Sequence, residues 1–237
     1  MNESSPRERE GYWARRLRRH VLIASAASLV TALLFRLARD KPSLSFRASM
    51  ATGYTSVFLI SAVLALGPYW LWRARPVPTS ADLRRDLGIW CAVFGLLHVA
   101  TGLFVHMRGD PWNYFIYRPR DGAHAFPLRL DGFGLLNWVG LAATVLLVLL
   151  LAISNDWSLR RLGATRWKQL QRSTYVAGAL IVLHGVAFQF ADRRARSFIA
   201  IFAATIVTVV VIQLDGRRRM RARIAARVAS DATAVRT

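Results

Sequence analysis

The sequence predicts an all-α integral membrane protein, a bundle of six transmembrane helices with both termini in the cytoplasm. Hydrophobic residues make up 54% of the 237 residues and are concentrated in six long runs. Each run has about 17–25 residues, enough to cross a hydrocarbon core of about 30 Å. Only the third and fifth runs carry a charged residue or histidine near the middle. The runs cover residues 20–39, 49–72, 87–107, 133–154, 173–190 and 198–214.

The positive charge of the chain lies mainly in its tails and connections. If the N-terminus is cytoplasmic, 22 of the 33 Lys and Arg lie on the cytoplasmic side, in the two tails and in the 73–85 and 156–172 loops. This excess agrees with the positive-inside rule. We therefore expect the net charge of +20 to set the topology and to contact the anionic lipid bilayer, and we expect no nucleic-acid partner.

Three segments are expected along the chain. Residues 1–19 form a basic cytoplasmic N-terminal tail, residues 20–214 the six-helix membrane domain, and residues 215–237 a basic cytoplasmic C-terminal tail. The first run is not followed by a small-x-small cleavage pattern, so no cleaved signal peptide is expected. The C-terminal tail is shorter than the roughly 100 residues that a flavin or nicotinamide domain needs. An electron donor would therefore come from another chain or from the membrane.

His98 and His184 lie near the middle of the third and fifth runs, each about a dozen residues past a basic edge. At about 1.5 Å of rise per residue, both imidazoles are expected about 18–21 Å into the bilayer. An ionisable side chain in hydrocarbon is costly and indicates a functional site. Two neutral imidazoles that face each other are suited to bind a haem iron as axial ligands. The alternative interpretations are hydrogen-bonded packing residues or a path for protons or metal ions.

Small residues accompany both histidines. Gly95 and Gly102 belong to a stripe of glycines that recurs every seven residues beside His98. They are expected to form a shallow wall for a flat macrocycle, although glycine stripes also serve helix packing in membranes. Three further histidines are expected at the edges of runs or in the outer loop, in contact with solvent or the membrane interface: His20, His106 and His124.

Several short segments share a spacing that is characteristic of one family. They are Arg85-Asp86-Leu87-Gly88, His98, Ser154-Asn155-Asp156, Arg161-Leu162-Gly163, Trp167-Lys168-Gln169-Leu170-Gln171-Arg172, Tyr175 and His184. On these residues, the core at about 84–190 resembles the ferric reductase-like transmembrane family. That family includes the haem-binding subunit of the bacterial methionine-sulfoxide reductase system and the membrane cores of NADPH oxidases. The resemblance implies a multi-pass protein of a bacterial-type inner (plasma) membrane.

The family's four-histidine core holds two stacked haems, and the resemblance assigns His98 and His184 to the outer pair. It implies that both bind the iron of one haem b. The inner positions fall at Arg84 or Arg85 and at Gln171, which are poor haem ligands. The resemblance therefore implies one haem rather than two. Near the outer membrane edge, three arginines are candidates to pair with the haem propionates: Arg108, Arg193 and Arg194.

The function implied is a membrane cytochrome b that relays electrons across or within the membrane to an acceptor protein on the outer side. It would be an electron-transfer subunit of an oxidoreductase rather than a complete enzyme. The expected donor acts in trans and is a quinol or a flavoprotein, with FMN or quinone as a further cofactor. Ferric iron, oxidised methionine and oxygen stay open as final acceptors. The alternative is a non-redox transporter or assembly subunit whose histidines form a proton or metal path.

Overall fold

The computed structural model describes residues 6–41, 43–73, 82–107, 110–117 and 127–234. This part of the chain is helical apart from turns and one isolated β-bridge between Ile116 and Leu128. It contains seven α-helices: α1 (Pro6–Leu37), α2 (Leu44–Trp72), α3 (Asp82–Gly102), α4 (Gly132–Ala152), α5 (Asp156–Gln171), α6 (Ser173–Ala191) and α7 (Arg196–Ala234).

Six of these helices coincide with the six predicted runs, and α5 precedes the fifth run. Among the described residues, five segments are long and apolar enough to cross a membrane: α1, α2, α4, the continuous α5–α6 segment and α7. Helix α3 is the exception, because its first turns carry the charges of Asp82, Arg84, Arg85 and Asp86. Its apolar part still packs against α2 and α4. The predicted all-α membrane fold is confirmed.

Helix α2 is the central helix of the bundle. Of its most apolar stretch, 56% is buried, against α1, α3, α6 and α7. One buried cluster joins α1, α2 and α7 around Tyr54, and a second joins α1, α2, α3 and α4 around Cys91. Helix α4 packs against both α3 and α6. As a result, α2 and α4 both border α3 and α6, the helices that carry His98 and His184.

The outward faces of the peripheral helices are apolar. In hydrocarbon a helix satisfies its own backbone hydrogen bonds, so an apolar outer face is the stable arrangement. Helix α4 begins where Asp131 accepts a hydrogen bond from the Gly134 N–H at 2.7 Å, which caps the first turn. Exposed apolar side chains on α1, α4, α6 and α7 include Leu22, Leu29, Val145, Leu149, Val176, Leu183, Val207 and Val211.

The basic tails are largely helical. Helix α1 begins at Pro6, within the predicted N-terminal tail, and α7 continues through the predicted C-terminal tail to Ala234. His20, expected to contact solvent, is instead partly buried, with Nε2 3.3 Å from Asp86 Oδ1, and its Nδ1 accepts a hydrogen bond from Trp90. The reason is that Asp86 is fully buried and needs polar partners, and Arg19 Nε also lies 3.0 Å from it. His124 lies outside the described residues.

An aromatic cap covers the ends of α3 and α4. Tyr114 closes a short 3-10 turn, Pro111–Tyr114, and is buried. Its hydroxyl donates to the Gly102 carbonyl at 2.9 Å and accepts from the His106 N–H at 2.8 Å. The Tyr114 and Phe133 rings lie with centroids 5.8 Å apart. The cap therefore holds the C-terminal end of α3 beside the start of α4.

Candidate functional site

His98 on α3 and His184 on α6 face each other across a cavity inside the bundle. Their ring centroids are 6.2 Å apart and their ring planes are inclined by 79°. We call this space, about 1280 Å³ including its mouth, the histidine cavity. Its walls are mostly apolar and come from α2, α3, α4, α6 and α7. The two histidines singled out in the sequence are thus brought together by the fold.

Each histidine is oriented by a backbone carbonyl of a neighbouring helix. His98 Nδ1 lies 2.8 Å from the carbonyl oxygen of Ser49 on α2, and His184 Nδ1 lies 2.9 Å from that of Leu136 on α4. A carbonyl oxygen only accepts, so both bonds require the proton on Nδ1. In a neutral ring, Nε2 then keeps its lone pair. Such a bond at the other nitrogen is the usual way in which a metal-binding imidazole is fixed.

Two glycines make room for the imidazoles. A Cβ atom at position 53 of α2 would lie 2.9 Å from His98 Nδ1. A Cβ atom at position 140 of α4 would lie 2.7 Å from His184 Cε1. Contacts this short are not tolerated, so Gly53 and Gly140 allow each ring to lie directly on the neighbouring backbone. The sequence alone did not identify either glycine. The available signal is that Gly140 is a residue without a side chain inside the apolar run of residues 133–154.

The predicted glycines Gly95 and Gly102 also line the histidine cavity. Their Cα atoms, however, face side chains of neighbouring helices. A Cβ atom at position 95 would lie 3.0 Å from Leu147 Cδ1, and one at position 102 would lie 3.1 Å from Ser49 Oγ. In the structure these glycines therefore permit close approach of α3 to α2 and α4.

The end of the histidine cavity near the aromatic cap is charged. Arg194, between α6 and α7, donates from Nη2 to Asp192 at 2.8 Å, and its side chain is 11% exposed. His106 Nε2 lies 3.4 Å from the same carboxylate. Burial acts to raise the pKa of Asp192, but the hydrogen bond from His106 and the charge of Arg194 outweigh it and hold that pKa below its ordinary value. His106 thus lines the charged end of the histidine cavity.

The three arginines expected near the outer edge lie in different places. Arg108 lies outside the described residues. Arg193 has a left-handed φ of 47° and is exposed, whereas the next residue, Arg194, turns inward and lines the histidine cavity. Among the described residues, Nε and Nη1 of Arg194 are buried and have no hydrogen-bond partner. Arg194 therefore has free donors for an anionic group.

A second cavity of similar size, about 1140 Å³ including its mouth, lies near the junction of α5 and α6. We call it the glutamine cavity, because Gln171 lines it; so do Arg84 and Arg85. These are the positions that the resemblance assigned to inner haem ligands. Leu147 lines both cavities, so the two cavities are neighbours.

Several motif residues of the family resemblance hold helices together rather than facing the histidine cavity. Arg85 forms an ion pair with Asp156, which joins α3 to α5. Asp86 binds the basic residues of α1. Trp167 donates to the Ile153 carbonyl at 2.9 Å. Gly163 has a φ of 72°, which favours glycine and interrupts α5.

The donor set fits a haem iron. An imidazole nitrogen binds a transition metal at about 2.0–2.1 Å and lies about 1.1 Å from its ring centre, so two rings on opposite sides of one ion have centroids about 6.3 Å apart. The observed separation is 6.2 Å. Among the described residues, no three or more His, Cys, Asp or Glu side chains gather into a metal site. Two protein ligands suffice for a haem, because the macrocycle supplies the other four.

Comparison with known proteins gives one family match. Residues 52–182 match the family described as "Ferric reductase like transmembrane component". The match covers more than half of the chain, begins earlier than the core expected from the sequence, and ends two residues before His184. With the five apolar segments, it identifies the chain as a multi-pass membrane protein of the bacterial inner-membrane type.

Curated relatives carry the name protein-methionine-sulfoxide reductase heme-binding subunit MsrQ. The chain is 30% identical to that of Deinococcus radiodurans over 143 residues, 58% of this chain and 60% of the relative. It is 34% identical to that of Ralstonia nicotianae over 134 residues, 56% of this chain and 55% of the relative. With that of Bordetella pertussis, identity is 30% over 134 residues, 56% and 57% of the two chains. The chain thus spans 55–60% of the length of these relatives.

Proposed function

The chain belongs to the ferric reductase-like transmembrane family, and on that premise we propose that it is a membrane cytochrome b that carries electrons through a single haem held by His98 and His184. The observation that carries the proposal is the orientation of the two rings. Both Nδ1 atoms bond to backbone carbonyls, which would leave the Nε2 lone pairs of His98 and His184 free to hold a haem iron. The names of the relatives support a heme-binding subunit.

The bound haem would supply one-electron chemistry, whose potential depends on its ligands and surroundings. The protein residues would hold the two rings, exclude water and place charge. The carbonyls of Ser49 and Leu136 fix the rotation of the imidazoles. The largely apolar walls keep the local dielectric low, which strengthens the influence of the few charges near the cavity.

Arg194 is the residue that we assign to a haem carboxylate. Its two buried, unpartnered N–H groups line the histidine cavity, and Asp192 satisfies only Nη2. A guanidinium binds a carboxylate strongly, because both charge and planar geometry match. The stacking of Arg194 on Phe46, at 4.7 Å from the ring centroid, holds the guanidinium in place. Of the three arginines expected to pair with the haem propionates, Arg194 is therefore the one that we assign to this role, and Arg108 lies outside the described residues.

The excess of basic residues on α5 and in the tails supports an orientation with both termini in the cytoplasm. The aromatic cap, His106 and Arg194 would then lie on the outer side, where an acceptor protein receives electrons. The donor acts in trans and is a quinol or a flavoprotein. The chain is therefore proposed to be the electron-transfer subunit of an oxidoreductase system.

The test is a reduced-minus-oxidised absorption spectrum of purified protein expressed with ample haem. We expect the bands of a low-spin b-type haem, and their loss in His98→Ala and in His184→Ala. His106→Ala is the matched control and is expected to keep the spectrum, because His106 contacts Asp192 at the cavity edge. A colourless wild-type protein would refute the proposal. Unchanged spectra in both ligand variants would reassign the ligands.

The alternative is a non-redox transporter or assembly subunit whose histidines form a proton or metal-ion path. It predicts colourless protein and transport that depends on pH or on a metal ion. The same spectrum therefore separates the two functions.

A further inference from the structure

The charged end of the histidine cavity contains a histidine that the proposed haem site does not use. His106 lies just after α3, and its side chain is 34% exposed, so water reaches it. Its ring packs edge-on against Phe133, with centroids 5.5 Å apart, and its backbone N–H donates to the Tyr114 hydroxyl. Histidine is the side chain that ordinarily gains or loses a proton near neutral pH. His106 is thus a fixed group that can exchange protons with water.

Asp192 connects His106 to the inside of the cavity. Its Oδ1 lies 3.4 Å from His106 Nε2, and its Oδ2 accepts a hydrogen bond from Arg194 Nη2 at 2.8 Å. Burial acts to raise the pKa of Asp192, but the hydrogen bond from His106 and the charge of Arg194 hold that pKa below its ordinary value. The carboxylate is therefore ionised at neutral pH. One carboxylate thus has a partner that water reaches and a partner that lines the cavity.

Arg194 is the group that responds to charge inside the cavity. Its Nε and Nη1 are buried and have no partner among the described residues. The charges of Arg194 and of its partner carboxylate act on both ligand histidines. Because an added electron brings negative charge into the cavity, Arg194 would compensate that charge and neutralise Asp192 less completely. A proton on His106 would then restore the balance.

The other charged and titratable groups around His106 are already engaged. The Tyr114 hydroxyl donates to the Gly102 carbonyl, and burial raises its pKa further. Arg129 stacks on Phe133 and pairs with Asp131 at 3.2 Å. Asp110, on the segment of His106, accepts from the Trp112 N–H. Of the described groups on the elements packed against His106, the Asp192–Arg194 pair is therefore the one that joins it to the cavity. The groups considered are Asp110, Tyr114, Arg129, Asp131, Asp192 and Arg194.

We propose that His106 takes up a proton from water when the haem site receives an electron, so that the protein moves a proton together with the electron. This uptake rests on the proposed function, because the added electron drives it. The electron comes from the donor in trans and goes to the iron. The proton comes from water and goes to Nδ1 of His106, since a neutral ring whose Nε2–H faces Asp192 is basic at Nδ1. Reoxidation returns the proton to water.

The coupling between the two sites should be moderate. Two aromatic rings, those of Phe133 and Phe188, lie in sequence between His106 and His184. In a medium of effective dielectric constant about 20, a unit charge at such a distance alters an equilibrium about tenfold. Reduction should therefore raise the proton affinity of His106 about tenfold. For one electron, a tenfold change corresponds to about 59 mV.

The first test is a potentiometric titration of the haem in the purified full-length protein between about pH 5 and pH 8, the range in which histidine titrates. Because the reduced state binds the proton more tightly, the midpoint potential should fall by about 59 mV as the pH rises through this range. It should be constant on either side.

His106→Gln should make the potential independent of pH, because an amide can still donate to Asp192 but does not titrate. The matched control is His20→Gln. His20 also lies beside a buried carboxylate, that of Asp86, but it does not line the histidine cavity. It should keep the pH dependence of the wild type. The haem spectrum of both variants should match that of the wild type.

The second test measures the proton on His106 directly. The hydrogen on imidazole Cε1 exchanges with deuterium at a rate that depends on the protonation of the ring, and mass spectrometry of peptides reports this rate for each histidine. In the reduced protein, His106 should stay protonated to a pH about one unit higher than in the oxidised protein, which is the tenfold change in affinity. His20 is the internal reference and should give the same curve in both states.

Asp192→Asn tests the connection between the two sites. Without the negative charge His106 binds a proton less tightly, so the pH range over which the potential falls should move to lower pH. An unmoved range would contradict the link through Asp192 on which the proton uptake depends.

Three further outcomes are decisive. A haem whose potential is independent of pH would overturn the proton uptake and leave the proposed function intact. The same holds for His106→Gln with the pH dependence of the wild type, or for equal exchange of His106 in the two redox states. A protein without haem would refute the proposed function, and the proton uptake with it.

Discussion

Arg85 on α3 and Asp156 at the start of α5 form an ion pair although they are 71 positions apart in the chain. The Arg85 side chain is only 3% exposed, whereas that of Asp156 is 41% exposed. Both residues belong to the short segments on which the family resemblance rests. Their role in this structure is to fix α5 against α3, beside the glutamine cavity.

Replacing Asp156 with Asn is expected to destabilise the protein. Breaking a buried pair costs about 3–5 kcal/mol, and the partial exposure of Asp156 reduces the expected loss to roughly 1–3 kcal/mol. The measurement is the thermal unfolding midpoint in detergent. Asp215→Asn is the control, because it removes only an exposed pair with Arg219 and its amide oxygen still accepts the hydrogen bond from Trp72, so the midpoint should be unchanged. Equal midpoints for the wild type and Asp156→Asn would show that the pair contributes nothing.

Adding one methyl group at Gly140 is expected to displace His184. The new Cβ atom would lie 2.8 Å from His184 Nδ1, the atom that bonds to the Leu136 carbonyl. Overpacking of this kind costs about 1–3 kcal/mol, which corresponds to haem affinity lower by about 5- to 150-fold. Haem content after purification measures the effect. Gly132→Ala lies on the same helix in open space and should retain haem fully; similar haem loss in both variants would contradict the argument.

Replacing Arg194 with Gln is expected to weaken haem binding and to lower the haem midpoint potential. A hydrogen bond to a charged group contributes about 1.5–3 kcal/mol, so haem should bind about 10- to 150-fold more weakly. The potential falls because a buried positive charge favours the reduced state. Arg193→Gln is the neighbouring control, since Arg193 is exposed. Potentiometric titration measures the haem midpoint potential of both variants. Identical potentials would exclude Arg194 as the residue that binds the haem carboxylate.

Acid is expected to loosen the cap side of the histidine cavity through Asp192. Because the pKa of Asp192 is lowered in the folded protein, its ionised carboxylate stabilises the fold at pH values above the ordinary pKa of aspartate. This stabilisation is lost as the pH falls through the lowered pKa. Asp192→Asn should remove this part of the pH dependence. Unfolding midpoints measured between about pH 3 and pH 7 test the expectation for both proteins. Parallel curves for the two proteins would exclude Asp192 as the titrating group.

Much of the fold could be predicted from hydropathy alone, because a membrane-spanning helix must be apolar along its full length. The pairing of His98 with His184 could be predicted from their matching depths. The role of Gly53 and Gly140 could not be predicted, because it depends on how α2 and α4 pack against the histidine helices. The way in which α2 and α4 pack against the histidine helices depends on the whole bundle, so no single segment of the sequence predicts it.

The charged residues were harder to assign for a different reason. Arg193 and Arg194 are adjacent and chemically identical, yet Arg193 is exposed and Arg194 is largely buried and lines the histidine cavity. The backbone is left-handed at Arg193, and the side chain that turns inward is that of Arg194. His20 likewise lies close to the carboxylate of Asp86, which is 66 positions away in the chain. Hydropathy alone places Asp86 at the edge of a predicted membrane-spanning run.

The shortest hydrogen bonds that orient the two histidines end on main-chain oxygens, those of Ser49 and Leu136, and the Ser49 hydroxyl adds a longer contact to His98 Nδ1 at 3.1 Å. Every amino acid carries such an oxygen, so mutation of either residue cannot delete the acceptor. Sequence drift at positions 49 and 136 is therefore compatible with an unchanged ligand geometry, as long as the two helices keep their places. Homologues that have lost every side-chain contact to the imidazoles could still present the same pair of nitrogens.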